Sequence, residues 1–453
     1  MQNVEINGDD LQVATSPCLE SVTLRYEAKE EEFENYNYDA LLEMIAGAAP
    51  NLRHVTLESG GEYRCTQGHT NSTDPNLQHP WGPRKPWRAD IFPKPQPPSS
   101  KALKGLDIRR WMNKNDLIVL SNKTDFSLLR SLHIQAGVEE LCWLTCRLSS
   151  LQTLDINLGE RNGINTEELH PATKTFFLSL PPLKHLTLRG TWTSDTLEVI
   201  LGRHGPTLLS LFCPVCTSPI DVELVQACCT VLEELSIPIQ RTQGDFQEVA
   251  MYRALGQLPA RTVTLSLRQT DPVHTRKHFS ERRQLWDPVK PLHAHFSGDE
   301  IRDLLVNCAV DEDLSQSIFV QIASRREQMG LPILETLNLH PENLSPLFFR
   351  HGYPRALLLP IAHLYRSWSC VRNPRDDCAT TMCAVKRGPP PGSSLPPGVT
   401  LTLGVDPVGE CIKRGLDYDT LDPKVEEVLR RIWPGSSPWQ DICHSLPLAG
   451  QTE

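Results

Sequence analysis

The chain has 453 residues, 39% hydrophobic and 22% charged, and 45 Lys and Arg against 55 Asp and Glu leave a formal net charge of −10. That acidity, with no concentrated basic block, argues against nucleic acid as the main ligand; the pairs Arg282-Arg283 and Lys386-Arg387 read as solvated surface charge. No run approaches the roughly 18 apolar residues of a membrane span, because Ala356–Ala362 is short and interrupted by Pro360, so no membrane partner is expected.

Residues 1–59 read as the first repeats. Met1–Glu20 carries acidic residues and no apolar run, so no secretory signal is expected and the 14 scattered cysteines are expected as reduced thiols of a cytoplasmic or nuclear protein. The sequon Asn71-Ser72-Thr73 is then expected to carry no glycan. Two units of the form L-x-x-L-x-L follow, Leu19-Val22-Leu24 and Leu52-Val55-Leu57, with a helical stretch, Tyr38–Ala46, leading into the second. Residues 60–101, rich in Gly, Pro, Asn and Ser and containing Trp81 and Trp87, read as a Pro/Gly-rich insertion expected to be disordered. Its tryptophans either anchor a partner or dock back on the chain itself.

Residues 102–345 form the main array. The unit recurs at Leu103-Leu106-Ile108, Leu129-Leu132-Ile134, Leu151-Leu154-Ile156, Leu183-Leu186-Leu188, Leu208-Leu211-Cys213 and Leu232-Leu235-Ile237. A weaker copy is Ala260-Val263-Leu265 and a late one Leu334-Leu337-Leu339. Successive steps from 103 to 260 are 26, 22, 32, 25, 24 and 28 residues, near the leucine-rich-repeat period of about 20–29. Breakers such as Pro181-Pro182 and Gly205-Pro206 precede most copies, and polar residues alternate with the apolar ones, the period-two signature of a strand. Between strands, Ser194–Leu201, with Ser194 as N-cap, and Asp221–Cys228, with Asp221 as N-cap, have apolar residues at helical spacing. Residues 268–329 read as an insertion ending in two helical patterns after Ser297-Gly298-Asp299-Glu300.

Residues 346–453 read as a C-terminal capping region. It holds a Pro-rich linker over 386–398, a strand Val399–Leu403, and a last helix with Asp422 as N-cap and Pro423 in its first position. The stripe Val425, Val428, Leu429 and Ile432 is expected to cap the open end of the array.

The fold class that follows is α/β: an irregular leucine-rich-repeat solenoid, or horseshoe, with a parallel concave sheet, helices on the convex side and loop insertions. Unrelated amphipathic strands in an α/β domain are the competing reading. The middle x of each unit falls opposite the leucines, giving Thr23, Thr56, Asp107, His133, Asp155, Thr187, Phe212, Ser236, Thr264 and Asn338 as the lining of the concave face. The most regular run supplies the candidate protein-binding residues Arg109, His133, Gln135, Asp155, Asn157, His185, Arg189 and Phe212, with Arg189 and Phe212 expected to be exposed. Both charge signs with one aromatic suit a protein surface, and Arg and aromatic residues are enriched among binding hot spots. An idle solvated face is the alternative.

Cys213-Pro214-Val215-Cys216, with Cys228-Cys229 after it, has zinc-like spacing. The repeat register gives a plainer account: Cys213 is the third apolar position of its unit, Cys216 sits where such repeats place Asn or Cys, and Cys228-Cys229 end a helix packing inward. His274, His278, His293 and His295 lie close in a loop-like stretch, and Cys370, Cys378 and Cys383 lack paired spacing. No metal, no cofactor and no catalytic residue is assigned. The phosphate-loop, dinucleotide, nucleophile-elbow and zinc-protease motifs are all absent, so a non-enzyme is expected, with an enzyme of unrecognised type working on the concave face as the alternative.

The degenerate hexads Leu151-Gln152-Thr153-Leu154-Asp155-Ile156 and Leu334-Glu335-Thr336-Leu337-Asn338-Leu339, with the helical approach Ala323–Pro332, resemble those of fungal F-box/leucine-rich-repeat proteins over residues 19–345. The resemblance covers the repeat portion; no F-box is recognisable before Leu19. It implies a protein-binding scaffold that selects the substrate of a ubiquitin ligase, with a cullin-RING adaptor as a further partner.

Overall fold

The computed structural model describes residues 12–26, 36–59, 103–158, 166–190, 192–214, 216–268, 297–341, 355–364, 366–372, 382–387, 421 and 423–449. The chain divides into two units, Met1–Leu208 and Leu209–Glu453. The 60–101 insertion with its sequon, the histidines 274–295, the strand expected over 399–403 and the N-cap expected at Asp422 lie outside the described residues.

In the first unit the L-x-x-L-x-L copies are strands: β1 (Ser21–Tyr26), β2 (His54–Ser59), β3 (Gly105–Trp111), β4 (Ser131–Gln135), β5 (Thr153–Leu158) and β6 (His185–Gly190). They lie in sequence order, each parallel to the next. Leu154 pairs with Leu186 in register, and Leu132, Leu154, Leu186 and Leu188 are at most 1% exposed. Alternation explains the arrangement. One face of each strand buries Leu, Ile or Val, and the opposite face keeps polar side chains half-exposed. The connecting helices stand side by side: Lys114–Ser121 packs on Val138–Leu144, which packs on Thr166–Ser179, and that on Ser194–His204.

Caps start these helices one to three residues earlier than composition alone indicates. Thr193, not Ser194, is the N-cap of Ser194–His204: its backbone is extended and its hydroxyl accepts from the Thr196 N–H. In the second unit Ser218, not Asp221, caps Pro219–Cys228; Asp221 sits at the third helical position and reaches back to the Ser218 N–H, closing a capping box. The sequence around 38–46 forms a helix, Tyr36–Glu43, that widens into a π-turn over Met44–Ala48.

The second unit carries β7 (Ser210–Phe212), β8 (Glu234–Gln240), β9 (Thr262–Arg268) and β10 (Thr336–Pro341), parallel and in order. Two further strands, β11 (Ser367–Arg372) and β12 (Met382–Arg387), continue the order but run antiparallel. Lys386 and Arg387 therefore belong to a strand rather than to the linker expected from 386. Within the stretch read as an insertion, Ser297 caps the helix Gly298–Cys308, its hydroxyl accepting from the Glu300 N–H. The next helix, Glu312–Met329, takes the place of a repeat helix: it packs against Phe246–Leu255 and lies on β11 and β12. The last long helix, Pro423–Ile432, buries Val425, Val428 and Leu429 against Ile301, Leu305, Leu357 and Ile361 of the helices Gly298–Cys308 and Arg355–Leu364. The stripe expected to cap the open end of the array is thus packed into a helical cluster of the second unit.

Gly190 closes β6 with φ at +90°, and a Cβ there would collide with the backbone carbonyl of Leu158, its register partner. Gly190→Ala is therefore expected to destabilise the first unit by about 2 kcal/mol through left-handed strain, read as a lowered urea midpoint. A change under a few tenths of a kcal/mol would show that the strand end relaxes freely.

Candidate functional site

The residues opposite the buried leucines align across the first unit. Thr23, Thr56, Asp107, His133, Asp155 and Thr187 are successive register partners on β1 to β6. Two positions further along β4, β5 and β6, Gln135, Asn157 and Arg189 pair in the same way. A register shift between Asp107 and Trp111 separates Arg109 from that second row.

Charge links the strands. Arg109 Nη1 lies 3.1 Å from Glu58 Oε1 on β2, and its Nε donates to Asp107 Oδ2 at 2.9 Å on its own strand. His133 Nδ1 stands 3.3 Å from both Asp107 Oδ1 and Asp155 Oδ2. Arg189 then forks onto Asp155, with Nε to Oδ1 at 3.0 Å and Nη2 to Oδ2 at 3.1 Å. Six ionisable side chains thus form one row over five strands, β2 to β6. One imidazole nitrogen carries at most one proton, so it serves one neighbouring carboxylate at a time. Asp107 Oδ1 is buried and has no hydrogen-bond partner among the described residues, despite the nearby ring nitrogen. The row holds three carboxylates, two guanidinium groups and one imidazole.

These side chains are half-buried. Asp155 is 13% exposed, His133 21% and Arg189 27%, so their pairs are less screened than ordinary surface bridges. The expectation that Arg189 and Phe212 are freely exposed is corrected on this point: Arg189 is held by a bidentate pair, and Phe212 is half-buried on β7 of the second unit. Of the eight residues expected to form the site, Arg109, His133, Asp155 and Arg189 join the charged row. Gln135 and Asn157 stand beside it, half-buried, and His185 is exposed at the start of β6. Glu58 was missed. Its only signal was its position two residues after Thr56, the same offset that separates Arg109 from Asp107.

The equivalent positions of the second unit carry no such charge. Phe212, Ser236, Thr264, Asn338 and Ser369 align in register. Ser369 Oγ donates to Asn338 Oδ1 at 2.8 Å, and Asn338 Nδ2 to Thr264 Oγ1 at 3.4 Å.

The cysteine cluster is interior. Cys213 follows β7 and donates its backbone N–H to Ser236 O, and Cys213, Cys216 and Cys229 are fully buried. A hydrogen bond with Cys213, burial and neighbouring charge push the Cys216 thiol far up; burial with the adjacent thiols lifts Cys229 to about 12. Both shifts favour the neutral thiol at Cys216 and Cys229. Among the described residues no group of three or more His, Cys, Asp or Glu stands together to hold a metal ion, and no helix is long and apolar enough to cross a membrane.

Compared with known proteins, the chain matches no family model and no curated relative.

Proposed function

We propose that this chain is a protein-binding scaffold of the leucine-rich-repeat type, its parallel strands lining the inner face of a horseshoe. The observation that carries this reading is the Glu58–Arg109–Asp107–His133–Asp155–Arg189 row. It offers a partner alternating charge on a rigid sheet, with donors and acceptors fixed in place before binding. Preorganised side chains lose little entropy on association, which favours specific binding. The repeat hexads further support substrate selection within an F-box-like ubiquitin ligase, working in the cytoplasm or nucleus.

The test is purification of the chain from its native cells under mild conditions, with identification of whatever protein copurifies. A cullin adaptor among the partners is expected if the ligase reading is right; stable partners without it leave the scaffold and remove the ligase. Turnover of a small molecule that is lost on replacing His133 or Asp155 would overturn both in favour of an enzyme.

A further inference from the structure

A second charged feature lies at the other side of the strand starts. The residue immediately before each of β2 to β6 is Arg53, Lys104, Arg130, Gln152 and Lys184 in turn. Their backbones are tied into one ladder: Lys104 N–H donates to Arg53 O, Arg130 N–H to Lys104 O, Gln152 N–H to Arg130 O and Lys184 N–H to Gln152 O, all at 2.8 to 2.9 Å. The spacing is therefore that of neighbouring strands, about 4.8 Å, which places Lys104 and Lys184 roughly 14 Å apart. Four of the five side chains are cationic in a chain of net charge −10, and none of the four makes an ion pair among the described residues. Arg53, Arg130 and Lys184 are exposed and Lys104 is half-exposed.

A groove of about 470 Å³ opens along this row, lined by Lys104, Arg130 and Lys184 together with Leu128 and Pro182. Leu128 is 41% exposed within this cationic rim. We propose that this rim binds an extended acidic peptide segment of about five residues carrying one large apolar side chain. At roughly 3.4 Å per residue such a segment matches the 14 Å from Lys104 to Lys184. Its carboxylates meet the three cations while its apolar side chain covers Leu128. No aromatic side chain lines the groove for bases to stack on, and the overall negative charge opposes a long polyanion, so nucleic acid is the poorer fit. A short peptide responds mainly to the local cations, because repulsion from charges beyond about 8 Å is screened. The proposal is independent of the charged row on the sheet face.

Binding of a fluorescein-labelled ten-residue peptide of aspartate and glutamate with one central leucine, titrated into the full chain and followed by fluorescence anisotropy, tests it. Saturable binding is expected that weakens as salt is raised, falls at least about tenfold in Arg130→Glu/Lys184→Glu, and falls severalfold in Leu128→Ser. A companion peptide with alanine in place of leucine is expected to be insensitive to Leu128→Ser. The milder Arg130→Gln/Lys184→Gln variant gives a smaller loss in the same direction and guards against damage to the fold, checked by circular dichroism. Absence of binding to the wild-type chain at low salt, an affinity unchanged by charge reversal, or equally tight, Arg130-dependent binding of a single-stranded oligonucleotide of the same charge would each overturn the proposal.

Discussion

Glu248→Gln is expected to cost the second unit about 3–5 kcal/mol, the loss seen when one partner of a buried ion pair is removed. Glu248 and Arg241 are paired side chain to side chain with 0% and 1% exposure. The same carboxylate accepts from Tyr252 Oη at 2.7 Å and from the backbone N–H groups of Thr242 and Gly244 at 2.7 and 3.0 Å. Burial alone works to lower the Arg241 pKa; the Glu248 carboxylate and the Tyr252 contact outweigh it and leave it raised. The Tyr252 hydroxyl is raised well above its usual range by burial and by Glu248. The variant removes the Glu248 counter-charge from a fully buried guanidinium. Arg241→Met/Glu248→Leu is expected to recover part of the loss, since it removes both charges, but not all, because the loop N–H groups still lose their acceptor. Calorimetric unfolding measures both. A loss below 1 kcal/mol for Glu248→Gln would mean that water reaches this pair.

The second large effect is a pH dependence in the first unit. His204 ends the helix Ser194–His204 fully buried, its Nε2 3.1 Å from Phe177 O and its ring edge-on to Phe177. The carbonyl requires Nε2 to carry the proton as donor. Nδ1 is buried with no hydrogen-bond partner among the described residues, so a second proton there has nothing to meet. Burial, opposed by the Phe177 bond and aided by Arg203, lowers the pKa from 6.5 to about 4. The folded value lies below the unfolded one, so the unfolded chain binds the extra proton first as pH falls. The stability in question is fully present above pH 6.5, declines as pH drops toward 4, and is gone below it. The interval corresponds to about 3 kcal/mol at 1.36 kcal/mol per unit. His204→Gln, which keeps a donor for the carbonyl, is expected to be less stable than wild type at neutral pH but to lack this slope. Denaturation midpoints at pH 7, 6, 5 and 4 compare the two; parallel curves would contradict the assignment.

The strands were legible because burial on one face imposes period two on the residues themselves. Leu154 and Leu186 follow from that period, and they are register partners. β11 and β12 were not legible, since Ser367–Arg372 and Met382–Arg387 lack the leucine hexad; β11 pairs with β10, β12 pairs with β11, and both pack on the helix Glu312–Met329. Caps were misplaced by one to three residues because Thr193 and Ser194, or Ser218 and Asp221, are equally good capping types; backbone conformation chooses between them.

The site was half legible. Which residues share the polar face follows from alternation, so Arg109, His133, Asp155 and Arg189 were found. Which of them pair does not follow, because Asp155 and Arg189 are 34 residues apart and Glu58 and Arg109 are 51 apart. Only the parallel register brings Glu58 within reach of Arg109 and Asp155 within reach of Arg189.

The charged row as a partner-binding surface is tested most directly by using wild-type chain and Arg109→Ala/Arg189→Ala as paired baits in the same native extract, with partner recovery quantified. Recovery with wild type and at least about tenfold less with the variant is expected, as hot-spot arginines worth about 2 kcal/mol would give, while the variant's melting temperature stays within a few degrees. Equal recovery by both baits would contradict the account and move the binding surface elsewhere on the chain.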